Sequence, residues 1–246
     1  VGLAGAGDAN TRALRLRSIR ALWDPTYRDE SWIGGDNQPA DWRYVRLIPR
    51  MRDWANTYYT GTQLAVTEYN WGGLEHINGA LAQADVLGVF GREGLGFAAL
   101  WNYPDTNLGY DHFETLPGAY AFRIYRNYDG NGGKFGEVSV SAGSADQSQL
   151  AVYAAQRLAD GALTLVIINK TGGALTGDVA LAGFTPAAAA EVYRYSSANL
   201  NAIVPQADQP VGAGGFSASF PANSITLVVI PTAASWVKVY LPLILR

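Results

Sequence analysis

Cysteine is absent from the 246-residue chain, which excludes disulfides and thiolate metal sites and leaves the compartment open. Histidine is nearly absent. His76 and His112 are the only two, too few for a histidine-rich metal site, although one would serve a Ser-His-Asp triad. There is no run of Lys or Arg and no acidic tail, and a net charge of −3 gives nucleic acid no electrostatic footing. No apolar run reaches the roughly 20 residues of a membrane span. The C-terminal WVKVYLPLILR is apolar but short. The opening VGLAGAGDANTRALRLR has neither an initiator Met nor a signal-peptide layout, and it reads as the interior of something longer. What the chain does have is apolar and aromatic residues, 48% and 12%, with 7 Trp and 14 Tyr. Rings in that number serve a packed core or a sugar cleft, where flat faces stack on pyranose rings.

Two regions differ in pattern. Residues 1–46 include RALWDPTYRDESWIGGDNQPADW, whose Asp, Pro, Gly and Trp mark a long loop. Leu47, Met51, Trp54, Ala55 and Tyr58 then follow helical spacing, which predicts a helix over about 48–59 with Pro49 in its first turn. Trp42 and Trp54 read as helix packing. TQLAVTE is a short apolar run of the kind found in strands covered on both faces, and Leu64, Val66 and Glu68 share one face by period two. A helical stripe runs through Ile77, Leu81, Ala84 and Leu87, with Gly79, Gly88 and Gly91 suggesting close packing on a sheet. LGFAALW, 95–101, predicts a second buried strand. Pro117 starts a helix carrying Ala121, Ile124 and Tyr125, which DGNGG stops. Such alternation implies parallel strands with helical crossovers. Beyond residue 133, six strand-like segments lie between turn signals and imply an antiparallel sandwich.

In parallel α/β architectures, functional residues sit at the C-terminal ends of strands. Glu68 ends one strand and Trp101 the next. The ordinary role of an acid there is a helix cap or a surface charge. The inward parity of Leu64 and Val66, and the aromatics around the same rim, favour a site. GREGLG, 91–96, follows a helix and enters a strand, the wrong order for a phosphate loop.

LAVTEYNWGG, followed by HINGALAQADVLGVFGREGLGFAALW, closely resembles the glycoside hydrolase family 44 endoglucanases. So do RLRSIRALWDPTYRDESWI, RLIPRMRDWANTYYTGTQLA and YRNYDGNGGKFGEVSVSA. The resemblance runs continuously over residues 12–145 and more loosely through FPANSITLVVIP. It implies an α/β plus all-β chain: residues 1–133 as the C-terminal portion of a (β/α)8 TIM barrel, 134–232 as an antiparallel β-sandwich, and 233–246 as an apolar tail. It implies a retaining endo-β-1,4-glucanase acting on cellulose or xyloglucan-type β-glucans; the residues themselves point to no cofactor and no metal ligand. Glu68 then matches the nucleophile at the end of the seventh barrel strand. Trp23, Trp32, Tyr69, Asn70, Trp71 and Trp101 are the candidate substrate-binding residues.

A retaining glycosidase needs two carboxyls about 5–5.5 Å apart. The family's acid/base lies in an Asn-Glu-Pro-like stretch after the fourth strand, and this chain has no Asn-Glu pair. Strands one to six, or nearly all of them, are expected to precede Val1, so the N-terminal half-barrel is missing and the isolated chain is expected to be inactive. Asp105 and Glu75 are weaker substitutes, and Asp24 reads as an Asx turn before Pro25. The alternative is a non-catalytic fragment whose sandwich binds carbohydrate or supports a barrel. The sandwich segment has Tyr153, Tyr193 and Tyr195 but no Trp until Trp236, which favours support. The tail resembles the ends of secreted bacterial proteins, which implies an extracellular location and a link to the cell surface.

Overall fold

The computed structural model describes residues 5–102 and 112–233. Helix α1 (Ala9–Arg17) starts on Asp8, whose carboxylate accepts the Thr11 amide, a standard N-cap. A 3-10 turn, Ser18–Leu22, continues it. Helix α1 precedes the stretch read as a long loop and has no counterpart in the sequence pattern, while the 3-10 turn takes up that stretch's first residues. The helix escapes an apolar-periodicity search because the one side chain it buries is an arginine, Arg15. Helix α2 (Leu47–Tyr58) forms where its spacing predicts. It buries only Ile48, however, and Trp42 and Trp54 are 54% and 57% exposed. The expected packing of these two rings is therefore not found among the described residues.

Strand β1 (Ala65–Tyr69), helix α3 (Ile77–Arg92) and strand β2 (Phe97–Leu100) form a unit in which β1 and β2 pair in parallel. Helix α4 (Pro117–Arg126) opens on a proline in its first turn, where the missing N–H is harmless, and packs on α3. Helix α3 is buried nearly all round, because it lies between two layers. Leu64, Val66, Tyr69, Ala98 and Leu100 meet it from the parallel pair, and the large sheet meets it from the other side. Burying Leu81, Val86 and Val89 there, each 0% exposed, stabilises the fold by roughly 1.5–3 kcal/mol per side chain. The parallel pair itself has one open face. Ala65, Thr67 and Glu68 are exposed, and Phe97 is 59% exposed. This corrects the expectation of strands covered on both faces.

The second half is antiparallel. Its strands are β3 (Val138–Val140), β4 (Leu150–Gln156), β5 (Leu163–Asn169), β6 (Leu175–Ala180), β7 (Ala189–Ser196), β8 (Asn199–Pro205), β9 (Gln209–Pro210), β10 (Gly215–Phe220) and β11 (Ser224–Ile230). The large sheet has the order β3-β4-β5-β11-β7-β8, with β9 also on β7, and β6 pairs with β10 as a separate ribbon. Alternation assigns the two faces. Tyr153, Val166, Ile168, Tyr195, Ile225 and Leu227 join the helical core. Leu165, Ile167, Val192, Val228 and Ile230 join Phe216 and Phe220 of the ribbon. Strands β5 and β11, covered on both sides, are buried at every position. The pattern predicts six of these strands; β3, β8 and β9 are additional.

Candidate active site at the end of strand β1

The register of the parallel pair decides where Glu68 points. Val66 pairs with Ala98 and Tyr69 pairs with Leu100, so β1 carries one residue more than β2 between these pairs. Such a bulge reverses the alternation beyond it. Leu64, Val66 and Tyr69 accordingly face α3, while Thr67 and Glu68 lie exposed. The sequence parity that puts Glu68 with Leu64 and Val66 is thus corrected: Glu68 stands on the open face. Among the described residues no hydrogen bond or ion pair engages its carboxylate.

Trp101 follows the end of β2 and is 46% exposed. Its amide donates to the Tyr69 carbonyl at 2.9 Å. The Asn70 side chain donates to the Trp101 carbonyl at 2.8 Å and accepts the Gly72 amide at 2.6 Å. Asn70 therefore ties the two strand ends together and turns the chain, with both ends of its amide in use.

The loop beyond is held from below. Gly72 and Gly73 have φ of 75° and 63°, the left-handed region that favours glycine. A Cβ on Gly73 would lie 2.9 Å from the Arg15 guanidinium carbon, and one on Gly79 only 1.9 Å from the Gly73 carbonyl oxygen. Arg15, fully buried, donates to the Trp71 carbonyl at 2.9 Å, to the Ala6 carbonyl at 2.9 Å and to Asn78 Oδ1 at 2.6 Å. His76 caps α3, its Nδ1 accepting the Asn78 amide. Arg15, Asn78 and His76 are the residues that sequence reasoning missed. The first two meet across 63 positions, and no local pattern signals that pairing.

The other predicted residues disperse. Tyr69 is not on the open face: it is 7% exposed, packs edge-on against Phe90 and accepts from Gln83, because the bulge turns it inward. Burial raises its pKa above the ordinary 10.0. Trp71 is half-buried, and its indole N–H donates to Ser18 Oγ at 3.1 Å, so it anchors the loop to the turn after α1. Trp23 sits at the opposite end of α3, with the Arg92 guanidinium 4.2 Å from its ring centre. Trp32 is 77% exposed, in a 3-10 turn of the long loop, and no contact joins it to Glu68 among the described residues. Asp24 accepts from Thr26 and Arg20, as an Asx turn would. Although burial opposes it, those bonds lower its pKa. Glu75 accepts the Gly5 amide. Asp105 and the C-terminal tail lie outside the described residues.

Among the described residues no group of three or more His, Asp or Glu is placed to hold a metal ion, and no helix is long and apolar enough to cross a membrane. The arrangement presents a carboxylate with no partner among the described residues and a partly exposed indole at adjacent strand ends, above a rigidly held loop. That suits attack on, or electrostatic stabilisation of, a ligand stacked on the ring.

No protein-family model matches the chain. Endoglucanase A of Paenibacillus lautus is 40% identical over 169 residues, covering 68% of this chain and 22% of that protein. The crystal structure of CelM2, a bifunctional glucanase-xylanase from a metagenome library, superposes with a TM-score of 0.82 and 42% identity, over 92% of this chain and 40% of that one. A Paenibacillus polymyxa xyloglucanase of glycoside hydrolase family 44, solved with xyloglucan, gives a TM-score of 0.83 and 30% identity, over 95% of this chain and 44% of that one. The chain thus spans less than half the length of each of these relatives. By sequence and by fold it belongs with glycoside hydrolase family 44, corresponding to the C-terminal part of such proteins.

Proposed function

We propose that this chain carries the nucleophile of a retaining endo-β-1,4-glucanase, and that Glu68 is that nucleophile. The observation that supports the reading most is the bulge in β1, which places Glu68 on the open face at the C-terminal end of the strand, beside Trp101. In this reading β1 and β2 are the last two strands of a (β/α)8 barrel, and their open face belongs to the barrel interior. A retaining mechanism uses an ionised carboxylate to form a glycosyl-enzyme and a second, protonated carboxyl about 5–5.5 Å away to assist departure. No described carboxyl contacts Glu68, and in this reading the acid/base is the Asn-Glu-type carboxyl that the sequence of this chain lacks, so that the isolated chain turns over no substrate. Trp101 serves as the sugar platform. The substrate is a β-1,4-linked polysaccharide such as cellulose or xyloglucan. An extracellular location belongs to the same proposal, since such polymers are met outside the cell.

The large sheet supports the barrel and is not a binding module. Its central strands are covered on both faces, one by α3 and α4 and the other by the β6–β10 ribbon, which leaves little of their area for stacking on a sugar.

The test joins residues 1–246 to the N-terminal segment of CelM2 that completes the fold and treats the fusion with a 2-fluoro-cellobioside, which traps the glycosyl-enzyme. The expected adduct lies on the peptide containing Glu68. An adduct on another carboxylate would overturn the assignment. The unfused chain is assayed on carboxymethyl cellulose and xyloglucan, where turnover abolished by Glu68→Gln would show that residues 1–246 contain their own acid.

A further inference from the structure

Beside the middle of α3, at Asp85, a pocket of about 300 Å³ opens between the 3-10 turn after α1, α3 and the loop at residues 145–148. Its floor is an ion pair: Lys170 Nζ lies 2.8 Å from Asp85 Oδ2, and their side chains are 5% and 4% exposed. Lys170 donates this single bond among the described residues, although an ammonium has three to give. Gln147 adds an enclosed side-chain amide nitrogen with no partner among the described residues. Buried donors left unmet are costly unless a ligand or water accepts from them. Trp23 forms a wall, its ring backed by Arg92.

The charges lining the pocket select the ligand. Lys170 is paired with Asp85, and Arg20 with Asp24. Asp146 is left over, capped by Ser148 and Gln149. An anion would find no surplus cation. Donors and acceptors alternate around an aromatic wall, which matches vicinal hydroxyls that both give and take hydrogen bonds over an apolar ring face. The volume lies at the low end of ligand pockets, in the range of a single pyranose ring.

We propose that this pocket is a second sugar-binding site, taking one pyranose unit of a neutral glycan and separate from the Glu68 rim. Such a site would anchor a polymer beside the middle of α3, away from the Glu68 rim. The choice of β-glucan as the glycan rests on the proposed glucanase function; the pocket's preference for a neutral sugar does not.

Titration calorimetry on the 246-residue chain tests it with cellotriose, a xyloglucan oligosaccharide and maltotriose. Ala145 is exposed at the pocket mouth and makes no side-chain bond, so Ala145→Trp fills the space while removing nothing. Saturable binding of a β-glucan oligosaccharide is expected, weakened at least about tenfold by Ala145→Trp and about threefold to tenfold by Gln147→Ala, and unchanged in Glu68→Gln. Binding of maltotriose alone, blocked by Ala145→Trp, would keep the sugar site and remove the β-glucan assignment. Absence of binding to all three sugars, or binding lost in Glu68→Gln and kept in Ala145→Trp, would overturn the proposal.

Discussion

The buried guanidinium of Arg15 donates to the main-chain carbonyl of Trp71, 2.9 Å away and 56 positions along the chain. Glu68 lies three residues before that carbonyl, so α1 fixes the loop that follows the strand end carrying the candidate carboxylate. Arg15 also satisfies the carbonyls of Gly5 and Ala6 and the Asn78 side chain. Arg15→Met leaves the buried Asn78 side-chain oxygen and the half-buried Trp71 carbonyl unmet, each a loss of about 1–3 kcal/mol, while the more exposed Gly5 and Ala6 carbonyls can turn to water. The expected outcome is a fall in stability of about 3 kcal/mol or more by urea denaturation, with faster hydrogen exchange at Gly72 and Gly73. Arg15→Lys should recover only part, since an ammonium cannot reproduce the planar fork.

His76 gives a pH dependence with a definite sign. Its Nδ1 accepts the Asn78 amide, which needs an unprotonated nitrogen. Burial first, then Arg12 and Arg15, hold its pKa below the ordinary 6.5. Just below 6.5 the unfolded chain therefore binds the proton that the folded chain refuses. Stability contributed by neutral His76 is present above that value and is lost as pH falls towards the folded pKa. Urea midpoints measured across that window should fall with pH in the wild type. They should fall less steeply in His76→Asn, which keeps a capping acceptor that does not titrate.

Sequence carries the parts of this fold in which one residue's burial follows from its neighbours' spacing. Ile77, Leu81 and Ala84 mark α3, and the runs at Leu163–Asn169 and Ser224–Ile230 mark the two strands covered on both sides. It loses the parts fixed by distant partners. Helix α1 is silent because its buried residue is Arg15. Period two groups Glu68 with Leu64 and Val66, which the structure packs against α3, and the bulge that separates them arises in pairing with Ala98 and Leu100. A tryptophan looks alike as a sugar platform or as a packing residue. Trp71 becomes an anchor only through Ser18, 53 positions away, and Trp23 a wall of a different pocket only through Arg92.

Two glycines of α3 should respond oppositely to alanine. At Gly79 a Cβ would lie 1.9 Å from the Gly73 carbonyl oxygen, whereas at Gly91 nothing lies within 4 Å. Gly79→Ala must push the helix off the loop after Glu68, with a loss of about 1–3 kcal/mol. Gly91→Ala keeps a helical conformation already present and reduces the freedom of the unfolded chain, with a gain of about 0.4–1 kcal/mol. Thermal melts of the two variants check the opposite signs. A stabilising Gly79→Ala would mean that the helix and the loop are not in contact.

The ion pair of Asp85 and Lys170 joins α3 to the end of β5, and the Tyr153 hydroxyl of β4 also donates to Asp85. Burial, with the Asp85 charge added to it, raises the Tyr153 pKa well above the ordinary 10.0, so the phenol stays a donor. Desolvation offsets much of the attraction in such a pair, whereas removing one member strands the other. Lys170→Met should therefore cost about 3–5 kcal/mol. Asp85→Asn added to Lys170→Met should restore much of that loss, because a neutral amide still accepts from Tyr153. A double-mutant cycle by urea denaturation reads the coupling. If the two substitutions add without coupling, the helix and the sheet are held by the surrounding apolar contacts alone, and the buried charges make no joint contribution.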